Sequence, residues 1–404
     1  MRPTVDPESL IVGALLTALV ALGQISTSIY IPSMPAIVEA LATTPDRVNL
    51  TLTGFLLGFA ACQMVFGPLS DRCGRRPTLF AGLGLYAASS MVCWLATDIR
   101  WLIVGRVLQG MAACVGPVLG RAIVRDIYGP TRTASAMAYI GAALAVSPAV
   151  APIIGGYLQI WFGWRAAFVF LAVIGVIIFA ATWWLLAETR PRGATGEDGA
   201  DTVLDILVTC AVLIRDRHYL GYTLIVACIF SGLMAFAAGG PFVFIGLLGL
   251  SPEHYGMLAI FTVAGYFTGS LIAGRLARSL ALPRLVLLGT TVCLVGAAAM
   301  SALAAFAPLS VVAVVAPMAV FTAGLGVVLP SGIAAAMAPF PRIAGAASAL
   351  LGFVQMLIAA AASFAVGALP HASALSMAAV ITAGAVGAML AFIALVRPTG
   401  PKPR

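Results

Sequence analysis

Charge is scarce in this chain: 9% of its 404 residues are Asp, Glu, Lys or Arg, against 62% hydrophobic ones. Roughly a quarter of the residues must be charged to keep a protein of this size dispersed in water. A water-soluble protein is therefore excluded, and the length is better spent on spans of about 20 apolar residues than on soluble domains. Paired cysteines are also missing. Cys62, Cys73, Cys93, Cys114, Cys210, Cys228 and Cys293 are scattered through mostly apolar runs. That spacing argues against a disulfide framework or a metal centre and suits small buried hydrophobes. Of the three histidines, His218 and His254 lie at span ends and His371 opens the last span. All three read as loop residues, with His254 beside Glu253 able to titrate near neutrality. No G-x-x-x-x-G-K stretch and no nucleophile–base–acid set occurs, so ATP-driven transport and enzyme catalysis are excluded and no cofactor is expected.

What is present is a succession of apolar runs. They predict spans at about 10–32, 49–70, 78–97, 101–122, 133–157 and 164–187, then 219–247, 254–276, 283–306, 309–337, 343–368 and 371–396. With no small-residue cleavage site behind it, the first run reads as a retained helix rather than a signal peptide. The longest polar break is ETRPRGATGEDGAD, residues 188–201. The expected fold is an all-α membrane protein of twelve transmembrane helices in two pseudo-symmetric six-helix bundles, residues 1–187 and 219–404. Between them, residues 188–218 form a cytoplasmic linker, whose apolar stretch is too short to span and reads as an interfacial helix. With a cytoplasmic N-terminus, 18 of the 22 bases fall on the cytoplasmic side; Arg47, Arg100 and Arg165 face out and Arg106 lies within a span. The net charge of +8 is thus a topology signal rather than a nucleic-acid footprint. Both termini are placed in the cytoplasm.

The two halves echo each other. GPLSDRCGRRPTLFAG (67–82) joins spans 2 and 3, and GRLARSLALPRLVLLG (274–289) joins spans 8 and 9. Such a repeat marks many transporters. The first loop resembles the G-x-L-x-D-R-x-G-R-R/K motif of the major facilitator superfamily, with Gly67, Leu69, Asp71, Arg72, Gly74, Arg75 and Arg76 in place. Physically, Gly67 lets a helix end pack closely and Gly74 permits a turn other residues resist. Asp71, an anion near a helix terminus, can accept bonds from the free N–H groups opening another helix. The resemblance implies that this partner is the start of span 11, about residues 343–345, and that Arg75 pairs with an acid, for which Asp126 in RAIVRDIY is the candidate. The plainer alternative is that Arg72 and Arg76 only enforce orientation.

Arg106, Gln109 and Gly110 match the superfamily's span-4 pattern R-x-x-Q-G. SPAVAPIIGG (147–156) is similar to the span-5 motif G-P-x-x-G-G of drug/proton antiporters, keeping Pro152, Gly155 and Gly156 but with Ala151 for the first Gly. Small residues there let spans 5 and 8 approach closely. Together with GWRAAF and AGAASALLGFVQM, these motifs resemble the bicyclomycin-resistance branch of the multidrug efflux proteins.

Within the spans the informative residues are polar. Arg106 sits about 7.5 Å below Trp101 if that ring marks the outer interface. A buried Arg costs at least ~2.5–3.5 kcal/mol, so it needs a cavity or hydrogen-bond partners; snorkelling to the outer surface is the structural alternative. On span 1, Gln24, Thr27, Ser28 and Tyr30 fall on an arc of about 160° that can line a cavity, while Ser26 points elsewhere. Thr27 and Ser28 can equally bond their own i−4 carbonyls. Gln63 and Gln355 are weaker candidates of the same kind, and Tyr139, Tyr222 and Tyr266 read equally as cavity aromatics or interface anchors. The resemblance implies an Asp, as proton carrier and cation partner, where this chain has Ser28 ahead of Ile29, Tyr30, Ile31 and Pro32. A serine does not titrate in the relevant range. None of the 14 acids replaces it: Glu39, Asp46, Asp98 and Glu253 fall in outer loops and the rest on the cytoplasmic side.

The expected function is export of small, partly apolar compounds across the cytoplasmic membrane by alternating access, with protons as the coupling ion. Coupling should be weak, through a carboxylate at a helix margin or a titrating substrate. Expected substrates are neutral, zwitterionic or anionic, contacting Gln24, Tyr30 and Arg106, with Gln109 in the same set. The partners are that substrate, protons and the lipid bilayer, for a monomeric protein without nucleic acid. Uptake or facilitated diffusion of a small metabolite and a non-transporting receptor are the alternatives.

Overall fold

A computed structural model describes residues 9–189, 203–370 and 373–396. Both termini, most of the 188–201 break and His371 lie outside these residues, as do the side chains of Arg132, Tyr139 and Arg342. The helices are α1 (Leu10–Ser28), α2 (Met34–Ala40), α3 (Pro45–Gln63), α4 (Phe66–Cys73), α5 (Arg75–Leu95), α6 (Ile99–Ala113), α7 (Val115–Phe162), α8 (Arg165–Leu185), α9 (Val203–Arg215), α10 (Arg217–Pro241), α11 (Pro252–Leu276), α12 (Leu282–Phe306), α13 (Val311–Met337), α14 (Ala344–Ala368) and α15 (Leu375–Ala391). No strand occurs among the described residues. In hydrocarbon every backbone N–H and C=O must be bonded within its own segment, and apolar helices are the solution. Their entries follow local chemistry. Asp98, Asp216 and Ser310 cap α6, α10 and α13 by accepting from Arg100 N, Tyr219 N and Ala313 N. Proline opens α3 and α11.

Among the described residues, ten helical segments are long and apolar enough to cross a membrane, and α3 with α4, bent by 46°, makes an eleventh if the pair is one span. The predicted span 133–157 falls on α7, where Val146–Phe162 is a shorter apolar stretch. Several boundaries differ from expectation. Span 1 is not one helix: α1 ends at Ser28, a 3₁₀ turn covers Ile31–Ser33 around Pro32, and α2 follows. The expected loop between spans 4 and 5 is absent, because helical backbone continues on both sides of a single non-helical residue, Gly129 (φ 63°). Helix α9 occupies the linker; it buries Cys210 and Leu213 and exposes Val208, Val212 and Ile214.

The chain forms two compact units, Met1–Thr202 with Gly249–Ala259 and Val203–Leu248 with Ile260–Arg404. In the first, α7 packs on α1, α3 on α6, and α5 on α6 and α8. In the second, α10 packs on α14, α15 and α13, and α12 on α13 and α15. The α1–α7 approach depends on glycine. A Cβ at Gly116 would collide with the Leu19 carbonyl oxygen, and one at Gly155 with that of Ile29.

Candidate functional site

The polar residues of the first unit converge on Arg106. Its side chain is 0% exposed, among the largest fully buried in the described residues. Nη1 donates to the Ser26 carbonyl at 3.1 Å and to Gln109 Oε1 at 2.5 Å, one turn along α6. Gln109 Nε2 donates to Ser90 Oγ at 2.7 Å, and Ser90 to the Tyr86 carbonyl at 2.8 Å. Ser26 donates to the Leu22 carbonyl at 2.6 Å, so the Tyr86 hydroxyl is the donor in its 2.5 Å contact with Ser26 Oγ. The guanidinium carbon lies 4.2 Å from the centre of the Tyr30 ring and 4.3 Å from that of Phe55. Each charge-assisted hydrogen bond contributes about 1.5–3 kcal/mol and a desolvated cation–π contact about 2 kcal/mol. Together these offset a burial cost of ~2.5–3.5 kcal/mol or more. Arg106 is therefore tolerated without a counter-ion: no ion pair among the described residues includes it.

The residues of the expected cavity arc fall in two environments. Gln24 and Ser28 are half-buried, whereas Tyr30 and Gln109 are fully buried. Thr27 takes the structural alternative, donating to its own i−4 carbonyl, Gly23 O, at 2.8 Å. Tyr30 stands four residues beyond Ser26, about 40° around at 100° per residue. With φ −89° and ψ −9° it stays on the Ser26 side although α1 has ended at Ser28. Ser28 lies about 160° around the helix from Ser26, so the structure does not bring it to Arg106. The snorkelling alternative is ruled out by burial. Gln63 and Tyr222 are buried, and Gln355 and Tyr266 half-buried. Sequence reasoning missed Phe55, Tyr86 and Ser90, which lie in ordinary apolar runs. Only the i, i+4 spacing of Tyr86 and Ser90 hinted at a shared helix face.

The second group lies at the α4–α5 turn. Gly74 (φ 98°) makes the turn, in a region that favours glycine. Arg75 Nε lies 3.1 Å from Asp126 Oδ2, and both side chains are over nine-tenths buried. Its Nη1 reaches Ser70 Oγ at 2.6 Å and Asp71 Oδ1 at 2.5 Å, Asp71 being 62% exposed. Arg76 Nη2 donates to the Trp183 carbonyl at 2.8 Å, its guanidinium over the Phe80 and Trp183 rings. Arg72 is exposed. Gly67 does not act as expected: a Cβ there would meet nothing within 4 Å.

Glu188 was not foreseen. Its carboxylate accepts the backbone N–H groups of Arg75 at 3.0 Å and Arg76 at 3.1 Å, capping α5 from the end of α8. Orphan N–H groups and the positive helix end both favour an anion there. Glu188→Ala should cost about 1 kcal/mol, the usual worth of a cap. Thermal melting of the purified protein checks this; an unchanged melting curve would remove the capping role.

The span-5 motif packs as its residues suggest. Gly155 meets the Ile29 backbone, and a Cβ at Gly156 would come within 2.5 Å of the Pro252 carbonyl oxygen. Reciprocally, a Cβ at Gly256 would meet the Pro152 carbonyl oxygen at 2.5 Å. This seam explains why residues 249–259 cluster with the first unit.

Comparison with known proteins gives consistent findings. The sequence model described as Major Facilitator Superfamily matches residues 16–363. Multidrug resistance protein D of Escherichia coli K12 is 31% identical over 343 residues, 84% of each chain. A chloramphenicol resistance protein of Pseudomonas aeruginosa is 31% identical over 349 residues, 83% of this chain and 81% of that one. A bicyclomycin resistance protein homolog of Haemophilus influenzae is 26% identical over 332 residues, 82% of each. Among solved structures, the xylose transporter XylE from E. coli, in a partially occluded inward-open conformation, superposes with a TM-score of 0.74 at 15% identity, covering 97% of this chain and 99% of that one. At that identity the likeness speaks for the fold alone.

Proposed function

From the premise that this chain belongs to the major facilitator superfamily, and is thus a multi-pass membrane transporter rather than an enzyme, we propose that it exports small, partly apolar compounds, drugs included. The observation that carries this reading is that relatives matching more than four-fifths of the chain bear drug-resistance names. The protein works as a monomer in the cytoplasmic membrane with both termini inside. Its substrates are neutral, zwitterionic or anionic. Arg106, fully buried and in no ion pair among the described residues, disfavours a cation by Coulomb repulsion, and Gln24 and Ser28, half-buried on α1, supply further polar contacts.

Proton coupling is weak in this reading, because Ser28 stands where a titrating acid would sit. That same residue favours facilitated diffusion or uptake of a small neutral or anionic metabolite as the second reading. Expression in a pump-deficient bacterial host separates the two. Export should raise chloramphenicol tolerance and lower its cellular accumulation; raised accumulation would favour uptake. Proteoliposome flux under an imposed pH gradient, then an imposed voltage, tests coupling. Efficient pH-driven export of tetraphenylphosphonium, a permanent cation, would overturn the substrate assignment.

Asp71 is the switch residue of this proposal. Mostly exposed, and paired with Arg75 across the Gly74 turn, it caps the start of α14 in the outward-facing state. Asp71→Asn should leave the amount of protein in the membrane unchanged and slow chloramphenicol flux about tenfold or more, the loss of roughly 1.4 kcal/mol from one state. Normal flux in that variant would remove the switch role.

A further inference from the structure

Arg106 is held in an incomplete way. Nη1 is committed to the Ser26 carbonyl and Gln109 Oε1, and the guanidinium lies over the rings of Tyr30 and Phe55. One edge is left, formed by Nε and Nη2. Neither atom has a hydrogen-bond partner, although the side chain is 0% exposed. The two N–H bonds on this edge are parallel and spaced to match the two oxygens of one carboxylate.

We propose that the Nε/Nη2 edge of Arg106 is the receptor for a carboxylate carried by the transported compound. The substrate class is then a monoanion with a planar carboxylate on a flat apolar body. This rests on the transport reading above and narrows it. Three observations converge on a carboxylate. Two parallel donors want two acceptor oxygens held in one plane, which a single carbonyl or ether does not supply. Among the described residues no acid serves, since the ion pairs leave Arg106 out and Ser28 lies on the other side of α1 from Ser26. A buried cation without a counter-ion is neutralised by an anion and made worse by a second cation. The flanking rings suit an arene or other flat body beside the charged group.

Entry follows from where the two covering rings are anchored. Phe55 stands in the middle of α3, fixed by regular helix. Tyr30 stands at the break between α1 and the 3₁₀ turn, and its hydroxyl makes a long 3.3 Å contact to Thr51 Oγ1 besides its interaction with Arg106. In this proposal Tyr30, beside the helix break, is the cover that must move, and Phe55 is the wall.

Salicylate and salicylamide share a flat ring and differ in carboxylate against primary amide. Radiolabelled salicylate binding to the purified, reconstituted protein, with each compound as competitor, should show salicylate at least about tenfold tighter, as expected for a charge-assisted fork. Arg106→Lys, which keeps the charge and loses the fork, should reduce salicylate to the level of the amide. Equal affinities in the parent protein, no salicylate binding at all, or a preference that survives Arg106→Lys would each overturn the proposal. The parent comparison decides without any variant. Chloramphenicol efflux from cells, measured alongside, tests the export reading separately: efflux without carboxylate preference sinks this inference alone, and carboxylate preference without efflux sinks drug export alone.

Discussion

Asp126→Ala is expected to cost the first unit about 3–5 kcal/mol, because it leaves a buried guanidinium without its principal partner. Arg75 and Asp126 are 7% and 8% exposed, and Nε meets Oδ2 at 3.1 Å. The second acid near Arg75, Asp71, is 62% exposed and reaches Nη1 rather than Nε. Water screens it, so it compensates little. The pair joins the start of α5 to α7, and its loss loosens both. Thermal melting in detergent should therefore drop by several degrees in Asp126→Ala and much less in Asp71→Asn. The double variant Arg75→Met with Asp126→Leu, apolar on both sides, should recover most of the stability but not transport. Recovery of both would reduce the pair to packing. A melting curve for Asp126→Ala matching the parent would remove the claim altogether.

Gly155→Val should be equally damaging for a different reason. A Cβ at Gly155 has no room beside the Ile29 carbonyl oxygen, and the obstructing atom is backbone, not a side chain that can turn aside. Overpacking costs 1–3 kcal/mol where side chains can yield; here α1 and α7 must move apart, and about 3 kcal/mol or more is expected. Ile29 also adjoins Tyr30, so the displacement reaches the Arg106 cluster and should abolish transport. Gly141→Val on the same helix is the control, since a Cβ there meets nothing within 4 Å. Comparable expression and flux in the two variants would show that the α1–α7 contact is dispensable.

The broad architecture was legible because lipid imposes long apolar runs, which survive any error in local detail. The Arg75–Asp126 contact was legible through the loop's resemblance to the superfamily motif, which implies an acid partner for Arg75 and made Asp126 in RAIVRDIY the candidate. The break after α1 was only partly legible, since Pro32 signals a turn but not that α1 already stops at Ser28. The arc that grouped Tyr30 with Gln24 and Ser28 also set it about 40° from Ser26, the side on which Arg106 lies. Phe55 and Ser90 were invisible because an aromatic or a serine in an apolar run is ordinary, and only tertiary packing makes it a partner of Arg106. Glu188 was hidden for the opposite reason, as one acid in a polar break. Gly67 shows the limit of a motif, since its match predicted a close approach that the structure does not contain.

Gly129 gives α7 a mechanical character. A connector of ten residues would behave as slack rope, absorbing any displacement of one rod before the other felt it. A joint of one residue has almost no slack, since consecutive Cα atoms are fixed about 3.8 Å apart. Asp126 is on one side of that joint, within a turn of it, and Gly155 is on the other, about 40 Å along the rod. Tilting at the Gly155 contact must therefore either pivot at Gly129 or be felt at the Arg75 ion pair. The stiffness of this one hinge sets how the displacement is shared between the two ends of the membrane.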